Sequence, residues 1–189
     1  SLDDLAGTSV TIADAALVVA GTGTSYGVRF WQAVTGASPI RLSGVTVSGG
    51  AHYGVYVAKA MTGGDIALTN CALTVATEGV AFIEAVTSTA VSITNVDVPA
   101  SQMGYRLRAV SGGSIAVAGG AVTATDHALD LAALSGGVTI AVRATRMTSG
   151  LSAVRLRSTV DALTTILLEQ VAATSTGAMQ KALELGGDV

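Results

Sequence analysis

Three side chains lie close enough in the sequence to suggest acid–base chemistry: Asp126, His127 and Asp130. A carboxylate beside a histidine can transfer a proton in general acid–base catalysis. The sequence pattern nevertheless places Asp126 and His127 at a turn, and it gives Asp130 arginine neighbours in adjacent repeats. We therefore predict no catalytic residue. The sequence favours a non-enzymatic protein and leaves catalysis as the alternative.

Other residues that could carry chemistry lack the partners that such chemistry needs. Glu78 and Glu84 are separated by an apolar strand, whereas glycosidase carboxylates lie about 5 to 9.5 Å apart across a cleft, so we interpret both as solvated. His52 and His127 have no cysteine or histidine at zinc-binding spacing. Cys71 is the single cysteine, so no disulfide can form within the chain. We predict neither a metal site nor a cofactor site.

Composition narrows the classes of partner. The net charge is -3 and no basic stripe is visible, so nucleic acid is not expected. Apolar stretches are interrupted before they reach the roughly 18 to 20 residues of a membrane-spanning helix. A protein surface or a glycan remains as the expected ligand.

The element that must position these side chains is a repeat of the form small-apolar-x-apolar. Successive copies are about 25 residues apart. The copies are Gly27-Val28-Arg29-Phe30, Gly54-Val55-Tyr56-Val57, Gly79-Val80-Ala81-Phe82, Gly104-Tyr105-Arg106-Leu107, Ala128-Leu129-Asp130-Leu131, Ala153-Val154-Arg155-Leu156 and, more weakly, Ala178-Met179-Gln180-Lys181. Apolar residues at every second position indicate a strand with one buried face.

A second alternating segment recurs at nearly the same step. Its copies are Val10-x-Ile12, Ile40-x-Leu42, Ile66-x-Leu68, Val91-x-Ile93, Ile115-x-Val117 and Val138-x-Ile140. Two residues after the first five copies stand Asp14, Gly44, Asn70, Asn95 and Gly119. These residue types tolerate left-handed backbone angles, so we predict a tight turn at this point of each repeat.

Several strands in a period near 25 residues are typical of one coil of a parallel β-helix. The fold class is therefore all-β: a right-handed parallel β-helix, or solenoid, of about seven coils. Leucine-rich repeats have a similar length, but their spaced leucines and asparagines are missing. We predict one domain over residues 1–189. Its coils are predicted at about 7–36, 37–64, 65–89, 90–113, 114–137, 138–162 and 163–189.

The motifs Ile66-Ala-Leu-Thr-Asn70 and Ser111-Gly-Gly-Ser-Ile115 resemble the turns of the pectin-lyase-like right-handed β-helices. Over Val10 to Leu168 the chain looks most like a pertactin-type autotransporter passenger. The resemblance implies a secreted or cell-surface location. The aromatic-rich translocator barrel of complete autotransporters is not seen in this sequence.

The x position of the main repeat predicts an outward row that is a candidate surface for binding: Arg29, Tyr56, Arg106, Asp130 and Arg155. Ala81 and Gln180 belong to the same row, and Lys59 and Glu84 share another phase. An ion-pair ladder through Asp130 is expected. The interpretation favoured by the sequence is that these side chains are only solvated and balance one another's charge, with glycan or protein binding as the alternative.

The last repeat breaks the pattern because Lys181 falls where earlier repeats place an inward apolar residue. Helix-forming residues over 178–185, followed by Gly186-Gly187, predict a short capping helix as the alternative to a seventh coil. Unpaired strand edges at the coil ends, or the lateral faces, would allow homo-oligomers.

Two functional hypotheses follow from the sequence. The first is a non-enzymatic structural or adhesive scaffold, a passenger-like module at the cell surface that mediates adhesion or self-association. The second is a carbohydrate-binding or carbohydrate-cleaving β-helix, similar to a polysaccharide lyase, a hydrolase or a phage tailspike.

Overall fold

The computed structural model describes residues 9–20, 23–157, 163–176 and 181–185. Within these ranges every regular element is a β-strand and no helix occurs. No helix in the described ranges could cross a membrane. Each strand pairs in parallel with a strand of the preceding or following coil. The predicted all-β parallel solenoid is therefore confirmed.

The strands stack into three parallel sheets. The first sheet has seven strands, which span about six turns of the solenoid: Val10–Ala13, Pro39–Ser43, Asp65–Thr69, Ala90–Thr94, Ser114–Ala118, Thr139–Arg143 and Thr165–Glu169. The second sheet has three strands: Ala16–Val18, Thr46–Ser48 and Ala72–Leu73. The third sheet, which carries the candidate site, is formed by Tyr26–Phe30, Val34–Thr35, Tyr53–Val57, Met61–Thr62, Glu78–Thr87, Val98–Ser111, Ala121–Ser135, Arg146–Ser149, Ser152–Leu156, Ala172–Ser175 and Lys181–Leu185.

The core is built from columns of inward side chains that repeat from coil to coil. Phe82 lies in register between Val57 and Leu107 and is fully buried, as the strand phase predicts. The second repeat is predicted correctly except for its last copy. There Ile115 pairs with Ile140, so Ile140-x-Val142 is the matching copy. Alternation alone could not distinguish it, because valines lie two residues on either side of Ile140.

The small residue of the main repeat is explained by a close approach between neighbouring coils. A Cβ atom on Gly104 would lie 2.2 Å from the Val122 side chain and 2.3 Å from the Ala128 carbonyl oxygen. At the same position in the next two coils, Ala128 and Ala153 are completely buried. The repeat therefore begins with glycine or alanine because a larger side chain would collide with the next coil.

The predicted tight turn is confirmed, because all five predicted residues have positive φ angles. They are Asp14 at 50°, Gly44 at 62°, Asn70 at 53°, Asn95 at 51° and Gly119 at 66°. The Asn95 amide donates to the Asn70 side-chain oxygen at 3.2 Å, so the turns also bond to one another. The next two coils repeat the turn at Ala144 and Gln170, with φ of 48° and 53°. Residue type could not reveal these two, since neither alanine nor glutamine favours this conformation.

The predicted capping helix is wrong where the structure describes it. Lys181–Leu185 is a strand that pairs in parallel with Ser152–Leu156. Leu183 and Leu185 stand opposite Val154 and Leu156. The seventh copy of the repeat is thus Ala182-Leu183-Glu184-Leu185, whereas 178–180 lie outside the described residues. The strand Ser152–Leu156 provides backbone hydrogen-bonding partners and apolar side chains, and these outweigh the local helix propensity of 178–185.

Candidate functional site

The predicted outward row forms one continuous column on the third sheet. Strand register places its members opposite one another, about 4.8 Å apart per coil. The outer row consists of Arg29, Tyr56, Ala81, Arg106, Asp130, Arg155 and Glu184. Gln180, predicted for the last place, lies outside the described residues, and Glu184 occupies that place. The ligand-binding role of this row stays a prediction.

A companion column runs beside the outer row, one position before the small residue of each repeat. The companion row consists of Tyr26, Tyr53, Glu78, Met103, His127, Ser152 and Lys181. Several of its side chains contact the outer row, so the two rows together form one face, which we call the outer face. The sequence interpretation missed this column because it started each repeat at the small residue. The tyrosines before Gly27 and Gly54 were the available signal.

Asp130 is the centre of a charged network on the outer face. Its carboxylate accepts hydrogen bonds from Arg155 at 2.9 Å and from two nitrogens of Arg157, one of them at 2.8 Å, and it lies 3.9 Å from Arg106. The Asp130 side chain is 0% exposed. Burial pushes the pKa of Asp130 upward, but the hydrogen bonds from Arg157 and Arg155 outweigh it and hold the pKa below its usual range. The predicted ladder is present, and its acid is buried rather than exposed.

Glu78 joins this network through Arg106. The Arg106 guanidinium donates to one Glu78 oxygen at 2.7 Å, while the other Glu78 oxygen is buried without a partner. Glu78 is only 4% exposed, so the interpretation of this residue as a solvated carboxylate is wrong. Glu84 does lie on the surface, where Lys59 donates to it at 3.0 Å.

His127 lies within the strand Ala121–Ser135, so the turn predicted at Asp126 and His127 is wrong. Its Nδ1 atom accepts a hydrogen bond from the Ser152 backbone at 3.4 Å. Burial, with the nearby charge of Arg155, lowers the pKa of His127, while Asp130 opposes that shift. The imidazole is therefore neutral at pH 7.

An aromatic cluster occupies the first two coils of the outer face. The Tyr26 and Tyr53 rings stack with centroids 5.2 Å apart, and Tyr56 packs against them at 4.9 and 4.8 Å. Trp31 directly follows the strand Tyr26–Phe30, and its side chain is 56% exposed. Burial and the neighbouring Glu78 carboxylate raise the pKa of Tyr53. The cluster presents aromatic rings at the outside of the solenoid rather than in its core.

Arg29 is held by these rings. Its guanidinium carbon lies 3.6 Å from the Trp31 ring centroid, 4.3 Å from Tyr26 and 5.8 Å from Tyr56. Such cation–π contacts hold the flexible side chain in place. The outer face thus combines a fixed cation, the exposed Trp31 ring and three partly buried tyrosine rings at one end with an acid–arginine network at the other.

The remaining residues considered for metal binding do not come together. His52 bonds through Nδ1 to the Ser25 hydroxyl at 3.2 Å, and Cys71 is buried. Among the described residues, no group of three or more histidine, cysteine, aspartate or glutamate side chains is arranged to hold a metal ion.

Comparisons with models of known protein families, with curated proteins and with solved structures found no match to this chain. The parallel β-solenoid rests on the strand pairing itself. The more specific likeness to pectin-lyase-like proteins and to autotransporter passengers stays a prediction.

Proposed function

We propose that this protein is a non-enzymatic adhesive scaffold, exposed outside the cell, whose outer face binds carbohydrate. The observation that carries the proposal is the aromatic cluster on the outside of the solenoid. The chain has one tryptophan and four tyrosines, and Trp31, Tyr26, Tyr53 and Tyr56 gather on this face. The solenoid places Phe82 and Tyr105 in its core instead.

A sugar ring matches this surface chemically. One face of a pyranose presents C–H groups that pack on an aromatic ring, while its rim presents hydroxyls for hydrogen bonding. Tyrosine and tryptophan provide both a flat apolar body and a polar group. Exposed apolar surface of this kind marks interaction sites. Trp31, with more than half of its surface exposed, is the natural platform.

The state of the acids supports binding without cleavage. The arginines hold the pKa of Asp130 below its usual range, so the group carries no proton to donate near neutral pH. Glu78 is engaged by Arg106 and is almost completely buried. A general acid needs a proton and access to the scissile bond. The alternative, a carbohydrate-cleaving β-helix, would need one of these carboxylates to be released from its arginine.

Trp31 also provides the experiment, because it is the single tryptophan of the chain. We would titrate the protein with a panel of neutral and acidic polysaccharides and follow its fluorescence. We expect saturable changes that Tyr56→Ala weakens. Val18→Ala, at an apolar residue 76% exposed in the second sheet, should leave binding unchanged.

The same panel tests the alternative by a reducing-end assay. Release of new chain ends by wild type, abolished in Asp130→Asn, would replace the proposal with a cleaving enzyme. If no polysaccharide changes the fluorescence, or if Tyr56→Ala binds as wild type does, carbohydrate binding at this face is wrong.

A further inference from the structure

We infer that the ligand of the outer face is an acidic polysaccharide, whose carboxylate or sulfate groups are bound first by Arg29. This inference rests on the proposed carbohydrate binding and specifies the ligand class. Its basis is the environment of Arg29, which differs from that of most other cations in the described structure.

Most described cations already have an acidic partner. The pairs are Arg41 with Asp65, Lys59 with Glu84, Arg106 with Glu78, Arg143 with Glu169, and Arg155 and Arg157 with Asp130. In the described part of the chain the Arg29 side chain makes neither an ion pair nor a hydrogen bond. Aromatic rings hold it instead, with Trp31 at 3.6 Å and Tyr26 at 4.3 Å.

This geometry prepares Arg29 for an anion. Stacked rings cover the faces of a guanidinium but leave its N–H edge available. That edge forms two parallel hydrogen bonds with a carboxylate or a sulfate. Because the rings already hold the side chain, less rotamer freedom is lost when the anion binds. The sugar ring that carries the anion then lies against the exposed Trp31.

The pairing of charges on the outer face also points to Arg29. Its two rows carry three arginines and three acids: Arg29, Arg106 and Arg155, and Glu78, Asp130 and Glu184. Arg106 is paired with Glu78, and Arg155 is paired with Asp130. Among the described residues of these rows, Arg29 is the arginine that has no acidic partner, so an anionic ligand would find its cation there.

Arg108 extends the site along the solenoid. It is exposed on the strand Val98–Ser111, next to Leu107 of the inward column. Within the described ranges it too has no acidic partner. Three coils separate it from Arg29, a distance of about 14 Å along the axis. A polymer with repeated acidic groups could reach both arginines, whereas a single charged sugar could not.

The test compares three polymers of similar length by Trp31 fluorescence: a polyuronate, a sulfated polysaccharide and a neutral polysaccharide. We expect one of the acidic polymers to bind more tightly than the neutral one, with an affinity that falls as salt rises. Which acidic polymer binds identifies carboxylate or sulfate as the recognised group. Arg29→Gln should weaken that binding about tenfold or more, because hydrogen bonds to charged groups are lost. Binding of the neutral polymer should not change.

Arg146→Gln is the matched control, because Arg146 is exposed, lacks an acidic partner among the described residues and lies outside the outer face. It should bind as wild type does. Equal affinity for acidic and neutral polymers, or an Arg29→Gln variant with unchanged affinity, would overturn the inference and leave the proposed function standing. Binding of none of the three polymers would overturn both.

Discussion

Replacing Asp130 by asparagine tests whether the charged network stabilises the solenoid. Asparagine keeps the shape and one acceptor oxygen but removes the negative charge. Asp130 is 0% exposed, whereas Arg106 and Arg155 are about one-fifth exposed. Removing one partner of a buried ion pair costs about 3 to 5 kcal/mol. Because water still reaches the arginines and asparagine keeps one acceptor, we expect a loss of roughly 2 to 3 kcal/mol.

Urea unfolding followed by circular dichroism measures this loss. Glu84→Gln is the matched control, since it removes a carboxylate whose pair with Lys59 lies on the surface, with both side chains about half exposed. That change should cost less than about 1 kcal/mol. If the two variants lose the same small amount, the network around Asp130 contributes no more than a surface ion pair, and the argument from burial is refuted.

Three further predictions test the strand phase, the turn and the effect of pH. Phe82→Asp should lose more than about 4 kcal/mol and fail to fold, because it buries a lone carboxylate. Ala85→Asp, at an exposed position of the same strand, should stay folded. Equal melting temperatures of the two variants would contradict the strand phase. Ala144→Gly should raise the free energy of unfolding by about 1 kcal/mol, because glycine adopts the positive φ angle without strain. Ala90→Gly, in an ordinary strand, should lower it by about 0.5 to 1 kcal/mol. Chemical denaturation of both variants shows whether the two changes have opposite signs. The pKa of His127 is lower in the folded protein than in the unfolded chain, so the neutral imidazole contributes its full stability above the unfolded pKa of about 6.5. That contribution declines as the pH falls from the unfolded pKa toward the folded pKa. The melting temperature between pH 7.5 and 5 should therefore fall less steeply in His127→Gln than in wild type.

Much of the outer face could be predicted from the sequence, because residues that are one repeat apart in a solenoid lie next to each other in space. Residues one period apart become register partners, and so Arg106, Asp130 and Arg155 were placed in one row without coordinates. Glu78 was different. It reaches Arg106 from the companion row, and that contact depends on two adjacent columns rather than on one.

The sequence by itself determined the architecture: alternating apolar residues specified the strands, the period near 25 residues specified the coil, and Asp14, Gly44, Asn70, Asn95 and Gly119 specified the turn. Only the tertiary structure decided the conformations at Ala144 and Gln170 and the strand at Lys181–Leu185. In each case the neighbouring coil provides backbone hydrogen-bonding partners at a fixed spacing. A coil that pairs with them adopts the same backbone conformation, even where its own residues favour a different one. The burial of Asp130 and the stacking of Arg29 were also decided by the tertiary structure, because both depend on how the surrounding side chains pack against each other.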